Sequence, residues 1–152
     1  MNNIFSHLNS FKIPFVVIGG HAVNYHGFIR ATEDFDIIFH RTEQSEAQLF
    51  NALKSINACW LSNKIDPLTN MEKEIPVTFD YVKSNHLMML CTSMGYLDIF
   101  DFIPDFQDIP VTQLLETSND FNGIKIINLD WLKKLKQASG RPKDLNDLNS
   151  LP

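Results

Sequence analysis

The chain has 152 residues, which suits one domain, and we expect a single domain over residues 1–152. Hydrophobic residues make up 44% and charged residues 20%, as in ordinary globular proteins. The net charge of -5 disfavours generic nucleic-acid binding, which depends on neutralising phosphates. No stretch approaches the roughly 20 apolar residues that span a bilayer, and the N-terminus lacks the pattern of a signal peptide. We therefore expect a cytoplasmic protein that does not bind membranes.

Cysteine and histidine residues give no sign of a zinc site. Cys59 and Cys91 do not form a Cys-x-x-Cys motif, and we expect reduced, buried thiols, with a disulfide as the alternative. His21 and His26 have no cysteine or histidine partner at zinc-ligand spacing. We interpret both histidines as packing or hydrogen-bonding residues rather than as metal ligands.

Helical and strand patterns alternate in the first part of the chain. In chain order they predict a helix carrying Ile4, Leu8 and Phe11, a buried strand at residues 15–18, a helix from about His21 to Gly27, a strand at residues 34–39, and a helix at residues 43–56 capped by Thr42.

The second half begins with strand patterns and ends with helical ones. Residues 63–76 hold two prolines and several polar groups, which predicts a loop, and residues 77–82 alternate with period two, which predicts a strand. Apolar runs at 87–91 and 96–103 flank Ser93-Met94-Gly95 and predict a hairpin. Residues 129–137 predict a helix that ends at Gly140, and Pro142 begins another. This order indicates a mixed α/β or α+β domain.

Gly19 and Gly20 lie between the first predicted strand and the following helix. A helix start exposes backbone N–H groups, and glycine lets a phosphate approach them without a Cβ in the way. The pair therefore suits phosphate binding. A tight turn with no ligand is the alternative, and the two glycines taken alone favour it.

Asp34 and Asp36 lie two residues apart in the next predicted strand, so their side chains point to the same face of the sheet. Phe35, Ile37 and Phe39 point to the other face and suit a core. Two carboxylates this close repel each other unless a cation is present. Mg2+ prefers oxygen ligands and often binds one or two carboxylates plus substrate phosphates. The pair indicates a Mg2+ site, with two solvated acids at a strand end as the alternative.

The segment GGHAVNYHGFIRATEDFD, residues 19–36, combines these two features. It resembles the nucleotidyltransferase superfamily, whose minimal β-polymerase-like palm carries a strand ending in Gly-Gly or Gly-Ser, a helix, and a strand bearing Asp-x-Asp. The likeness is greatest to the branch related to abortive-infection and toxin-type nucleotidyltransferases, at Gly19, Gly20, Ala22, His26, Gly27, Arg30, Thr32, Asp34 and Asp36. The resemblance implies a nucleotidyltransferase-type mixed β-sheet flanked by helices, with further helices at the C-terminus.

The resemblance also implies a mechanism. Gly19, Gly20, Arg30 and Thr32 would hold the phosphates of a nucleoside triphosphate such as ATP, while Mg2+ on Asp34 and Asp36 offsets the charge of the leaving pyrophosphate. An acceptor hydroxyl would attack the α-phosphorus in line. For Arg30 the alternative is an ion pair with Glu33 or another surface acid.

A third carboxylate belongs to the family pattern, and three aspartates compete for it. Asp80 shares the face of Thr78, which we interpret as the solvated side. Asp98 and Asp101 are three residues apart, so on a regular strand they face opposite ways. MGYLDIFDFI resembles the third motif with Asp98 in the acidic position, as general base or further metal ligand, and Asp101 is the second choice.

Basic residues crowd into the C-terminal part of this acidic chain, at Lys133, Lys134, Lys136, Arg141 and Lys143. The segment LDWLKKLKQASGRPKDLNDL resembles the C-terminal segment of the same branch at Lys136, Arg141, Lys143 and Asp144, which implies that Lys136, Arg141 and Lys143 bind the triphosphate. The alternative is a solvated amphipathic helix with its leucines turned inward.

Two functions remain open at the level of the sequence. The first is a Mg2+-dependent nucleotidyltransferase that moves a nucleoside monophosphate from a nucleoside triphosphate to a hydroxyl of a protein, RNA or small molecule. The second is a catalytically silent nucleotide-binding or regulatory module, such as a toxin–antitoxin component with a protein partner. The small size supports the second, because it leaves little room for an acceptor-binding domain. Neither the base nor the acceptor is indicated.

Overall fold

The structure is a computed structural model, and it describes residues 3–152. Within this range the chain forms seven helices and eight strands. In order they are α1 (Ile4–Ser10), β1 (Phe15–Ile18), α2 (Gly19–Tyr25), β2 (Asp34–Phe39), α3 (Glu43–Ser55), β3 (Cys59–Ile65), β4 (Glu72–Pro76), α4 (Phe79–Ser84), β5 (Leu87–Thr92), β6 (Gly95–Phe100), α5 (Val111–Glu116), β7 (Asn119–Phe121), β8 (Ile124–Ile126), α6 (Leu129–Ser139) and α7 (Pro142–Ser150). None of the helices in residues 3–152 is both long and apolar enough to cross a membrane.

All eight strands belong to one mixed sheet in the order β4-β3-β5-β6-β2-β1-β8-β7. Near its centre β2 runs antiparallel to β1 and parallel to β6. In this register Asp36 lies opposite Ile18 on one side and opposite Asp98 on the other. The pairing therefore brings the end of β1, the first half of β2 and the middle of β6 to one place in the sheet.

The core forms because α1 and α3 turn apolar faces toward the central strands. The helical spacing read from the sequence gives these faces, and the buried residues on them are Ile4, Phe5, Leu8, Leu49, Ala52 and Leu53. At the start of α3 the Thr42 hydroxyl accepts a hydrogen bond from the Ser45 amide at 2.9 Å, and Ser45 Oγ accepts one from the Thr42 amide at 2.7 Å. This reciprocal pair satisfies two helix-end donors and confirms Thr42 as the cap.

The predicted strand at residues 77–82 is wrong, because this segment forms helix α4. Thr78 lies before the helix and its hydroxyl accepts a hydrogen bond from the Tyr81 amide at 3.1 Å, as an N-cap does. Phe79 packs edge-on against Phe50, and Val82 is buried. The cap and these contacts outweigh the β-branched and aromatic composition that suggested a strand.

The predicted loop at residues 63–76 is also wrong, since its two ends belong to the antiparallel pair β3 and β4. Most side chains of β4 are exposed, so no buried face leaves an apolar pattern in the sequence. Pro76 ends the edge strand, where a residue without an N–H is tolerated. In the connection, the Leu68 amide donates to Asp66 Oδ1 at 2.9 Å, which orders the turn.

Smaller differences concern boundaries and short elements. The helix expected from His21 begins at Gly19, and the strand expected over 96–103 ends at Phe100. Helix and strand ends differ by a few residues in this way because terminal hydrogen bonds are weak. The sequence patterns give no sign of α5, β7 or β8, each of which has six residues or fewer.

Candidate active site

One cavity of about 420 Å³ brings together three distant parts of the chain. All ten residues that the sequence singled out as site candidates line it, and they are Gly19, Gly20, Arg30, Thr32, Asp34, Asp36, Asp98, Lys136, Arg141 and Lys143. We call it the carboxylate cavity. Its aspartates come from the sheet, and its basic side chains come from the α2–β2 connection and the C-terminal helical region.

The glycine pair lets the backbone approach the acidic strand closely. Gly19 has a φ of +69°, and a Cβ on it would lie 2.2 Å from Asp36 Oδ2. A Cβ on Gly20 would lie 2.5 Å from Thr32 Oγ1. Both distances are far below a normal contact, so these positions accept glycine and no larger residue without a shift in the neighbouring side chains. The glycine turn and the acidic strand therefore form one packed unit.

Asp36 and Asp98 face each other across the β2–β6 pairing, with their carboxylates within hydrogen-bonding reach. Burial, followed by the negative charges of Asp98 and Asp34, raises the pKa of Asp36 to about 7, although Lys136 opposes the shift. Burial also raises the pKa of Asp98. Because the two carboxyl groups are partly buried against each other and Lys136 only partly opposes the shift, they ionise less readily than exposed aspartates. The pair is therefore short of a cation.

The carboxylates fit Mg2+ in chemical type. Asp36 and Asp98 are half-buried oxygen donors, and Asp34 is exposed and lines the same cavity. Within residues 3–152 no three His, Cys, Asp or Glu side chains converge as a ready-made metal cage. Mg2+ usually takes only one or two carboxylates and completes its shell with water and substrate phosphates. The raised pKa of Asp36 means that a bound cation would remove an electrostatic penalty.

Of the three competing aspartates, Asp98 alone lines the carboxylate cavity. Asp101 accepts hydrogen bonds from Arg41 Nε at 2.7 Å and His86 Nδ1 at 2.8 Å. Arg41 also bonds Glu46 at 2.8 Å, so Asp101 belongs to a separate charged cluster that links the strand end to the helices. Asp80 lies exposed in the first turn of α4.

Two acids that sequence reasoning did not assign to the site hold its basic residues in place. Asp147 is fully buried and accepts two hydrogen bonds from Arg30, at 2.8 and 2.9 Å, and one ion pair from Lys136 at 3.0 Å. Asp144 pairs with Lys136 at 3.2 Å and with Arg141 Nε at 2.9 Å. Their spacing of three residues on α7 puts both acids on one helix face, which is the signal that could have revealed them.

The ion pairs set the protonation state of these two acids. Burial by itself would raise the pKa of Asp147, but hydrogen bonds from Arg30 and Lys136 outweigh it and hold the pKa below its ordinary value. For Asp144, burial is likewise outweighed by bonds from Arg141, Ser139 and Lys136, and its pKa is also low. Both acids therefore stay ionised near neutral pH, as buried partners of cations must.

The basic residues around the cavity fall into two groups. Arg30 and Lys136 are largely buried and bound to Asp147, which is the acid partner that the sequence left open for Arg30. Arg141 and Lys143 are exposed where they line the carboxylate cavity, and the Arg141 side chain is 71% accessible. The exposed pair is therefore accessible to a large anion, while the buried pair holds that side of the cavity in place.

The histidines and cysteines lie outside the carboxylate cavity. His26 Nε2 contacts the Ile127 carbonyl oxygen at 2.7 Å, and His21 stacks on Phe35 with ring centroids 4.5 Å apart. Both are packing or hydrogen-bonding residues, as predicted. Cys59 and Cys91 are free thiols opposite each other on β3 and β5, and they are half-buried rather than buried as expected.

The architecture matches solved structures along almost the whole chain. An antigenic nucleotidyltransferase-like protein from Paracoccidioides brasiliensis matches with a TM-score of 0.54 and 20% identity, over 97% of this chain and 71% of that one. A candidate nucleotidyltransferase from Thermotoga maritima matches with a TM-score of 0.56 and 16% identity, over 96% and 86%. No protein-family model matches, and no curated protein is a significant match.

These matches define the class of fold. The chain has the mixed α/β fold of nucleotidyltransferase-like proteins, which confirms the fold expected from the glycine pair and the Asp-x-Asp strand. At this level of identity the likeness concerns architecture alone. Membership of the toxin-type branch stays a prediction.

Proposed function

We propose that the protein is a Mg2+-dependent nucleotidyltransferase, which moves a nucleoside monophosphate from a nucleoside triphosphate to a hydroxyl group. The observation that carries the proposal is the Asp36–Asp98 pair, which is short of a cation and lies directly against Gly19. Arg141 and Lys143 line the same cavity with exposed positive charge. A metal bound to phosphates would satisfy both the acids and the bases of this cavity at once.

Each group has a separate role in this proposal. Asp34 and Asp36 would hold Mg2+, which when bound would offset the charge on the phosphates and on the leaving pyrophosphate, and Asp98 would act as the general base. Arg141 and Lys143 neutralise the outer phosphates. Arg30 and Lys136 act through Asp147 and Asp144, because they hold α7 against the cavity and so position Arg141. Gly19 and Gly20 leave room for the chain of phosphates beside Asp36.

The transfer itself is a single displacement at phosphorus. The acceptor oxygen forms a bond to the α-phosphorus as the bond from that phosphorus to the bridging oxygen breaks. Pyrophosphate leaves with the electron pair, and the hydroxyl proton passes to the carboxylate of Asp98. Asp98 lies opposite Asp36 in the β2–β6 pairing, which puts this base beside the proposed metal ligands.

Thermal denaturation with Mg2+ and each of the four nucleoside triphosphates tests the proposal directly. A ligand at about 100 times its Kd stabilises the folded state by roughly 2.7 kcal/mol. For a domain of this size that corresponds to a rise in Tm of roughly 5–11 °C. We expect such a rise with at least one triphosphate and a smaller one when EDTA replaces Mg2+. No shift with any triphosphate would refute the proposal.

Transfer of label separates an enzyme from a silent nucleotide-binding module. The protein is incubated with Mg2+ and a triphosphate labelled at the α-phosphate, together with RNA or proteins. Labelled acceptor shows transfer, whereas a Tm shift without labelled product would favour the silent module.

Gly19→Ala is expected to weaken triphosphate binding by about tenfold or more, which corresponds to roughly 1.4 kcal/mol. Its Cβ would collide with Asp36 Oδ2, and the positive φ adds strain of about 1–3 kcal/mol. The matched control is Gly27→Ala, which also has a positive φ but no atom within 4 Å of the new Cβ. We expect the control to lower Tm and to leave binding unchanged. If both variants bind the triphosphate equally well, the close approach of Gly19 to Asp36 does not contribute to triphosphate binding.

A further inference from the structure

A second cavity, of about 570 Å³, shares Asp34 and Asp98 with the carboxylate cavity. Its walls are otherwise apolar and aromatic, and we call it the apolar groove after Trp60, Leu61, Leu87, Met89 and Tyr96, which line it. Met89 lies directly opposite Asp98 in the pairing of β5 with β6, so their side chains are neighbours on one sheet face. A molecule in the apolar groove therefore reaches the carboxylate that would accept the proton.

Four large apolar or aromatic side chains that line the groove are open to solvent. Leu61 is 47% exposed, Leu87 41%, Met89 65% and Tyr96 56%. These four residues lie on three adjacent strands, β3, β5 and β6, which spread them over roughly 10 Å at the usual strand spacing. A contiguous apolar patch of this kind marks an interaction surface.

The two cavities differ in their basic side chains. Among residues 3–152 no lysine, arginine or histidine lines the apolar groove, and its charged side chains are Asp34 and Asp98. The carboxylate cavity carries Arg30, Lys136, Arg141 and Lys143 instead. A polyanion such as RNA would meet only negative charge in the groove, which costs binding energy. An uncharged, apolar molecule is the better match.

We infer that the apolar groove binds the acceptor, and that the acceptor is a protein segment that presents a serine, threonine or tyrosine hydroxyl among apolar side chains. The inference rests on the proposed function and names the substrate class for the same site. A polypeptide fits better than a small alcohol because the exposed apolar side chains of the groove span three strands. The hydroxyl oxygen bonds to the α-phosphorus, pyrophosphate leaves, and the proton passes to Asp98.

The test compares Leu61→Glu and Leu87→Glu with a matched control, Phe121→Glu. Phe121 is also large, apolar and 48% exposed, but it lies on β7 at the far edge of the sheet. Each protein is incubated with Mg2+ and each of the four α-labelled triphosphates. The acceptors are a protein extract freed of nucleic acid or, separately, total RNA. Thermal denaturation with Mg2+ and the same triphosphates measures nucleotide binding.

We expect the wild-type protein to label polypeptides rather than RNA. Both groove variants should label them at least about tenfold less, the factor that corresponds to 1.4 kcal/mol, because a buried carboxylate would oppose apolar contact. The control should stay within about twofold of wild type, since a substitution remote from a binding surface changes little. The triphosphate-induced Tm shift should be the same in all four proteins. If a glutamate variant does not fold, Leu87→Ser makes a smaller change and should reduce labelling in the same direction.

The outcomes separate this inference from the proposed function. Label on RNA, or equal labelling of proteins by the groove variants and the wild type, would overturn the protein acceptor and leave nucleotidyl transfer standing. No Tm shift and no transfer would remove the proposed function, and this inference with it.

Discussion

Asp36→Asn is expected to reduce nucleotidyl transfer by about 1000-fold or more. The carboxylate would be a direct ligand of Mg2+, and metal-derived charge stabilisation amounts to several kcal/mol. Each 1.36 kcal/mol corresponds to about a tenfold change in rate. Asn keeps the size and one oxygen of the side chain but loses the charge, so Gly19 and Asp98 keep their neighbours. Transfer of label from each α-labelled triphosphate measures the effect.

The same variant should not destabilise the protein at pH 8 in the absence of Mg2+. Asp36 has a folded-state pKa of about 7, raised from an ordinary value of 3.8 by burial and by the neighbouring acids. The folded wild type therefore binds this proton more tightly than the unfolded chain does, and it loses stability as the pH rises from about 4 to 7. Asn does not ionise, so the variant does not lose stability in this way as the pH rises. We expect the Tm of Asp36→Asn to equal or exceed that of wild type at pH 8, with the advantage shrinking toward pH 4.

Asp80→Asn is the matched control for this experiment. Asp80 is an exposed aspartate in the first turn of α4, away from the carboxylate cavity. Its transfer activity should remain within about twofold of wild type, because a surface change remote from the site acts only weakly. Full activity of Asp36→Asn would show that this carboxylate is not needed for catalysis.

Asp147→Asn is expected to destabilise the protein by about 3–5 kcal/mol. Asp147 is fully buried and is the shared partner of Arg30 and Lys136. Removing one member of a buried ion-pair group leaves the remaining charges uncompensated, at a cost of about 3–5 kcal/mol. For a domain of this size the change corresponds to a fall in Tm of roughly 6–20 °C. Urea or thermal denaturation at pH 7 measures the loss.

The loss of thermal stability caused by Asp147→Asn should depend on pH in a defined direction. The pKa of Asp147 in the folded protein lies below its ordinary value of 3.8, because hydrogen bonds from Arg30 and Lys136 outweigh the effect of burial. The stabilisation is therefore complete above the unfolded-state pKa and is lost as the pH falls through the folded-state pKa. We expect the Tm difference between wild type and variant to be constant from pH 7 to 5 and to shrink in stronger acid.

The control for the buried acid is Asp130→Asn, on the neighbouring helix α6. Asp130 is exposed in the first helical turn, where loss of its charge costs at most about 1 kcal/mol through the helix dipole. A fall in Tm of Asp147→Asn no larger than that of Asp130→Asn would show that the buried ion pairs do not stabilise α7.

Local patterns in the sequence predict the elements that carry the acids and glycines. Helical spacing and caps predict α1, α3, α6 and α7, and short apolar runs predict β1, β2 and the β5–β6 hairpin. These predictions succeed because each depends on neighbours within one turn or one strand. The predictions at 63–76 and 77–82 fail because an exposed edge strand has no buried face, and because a capped helix can carry β-forming residues when the core accepts them.

Strand periodicity predicts that Asp34 and Asp36 share a face beside a glycine turn, since that periodicity needs no long-range contact. The tertiary structure was needed to select the later acid that joins them, because the register of β2 against β6 places Asp98 opposite Asp36 and leaves Asp101 with Arg41. It also decided that Arg30 is held by Asp147, 117 residues away. Such pairs depend on where the sheet and α7 bring distant side chains together, and a buried charge stays there only when its partner arrives with it.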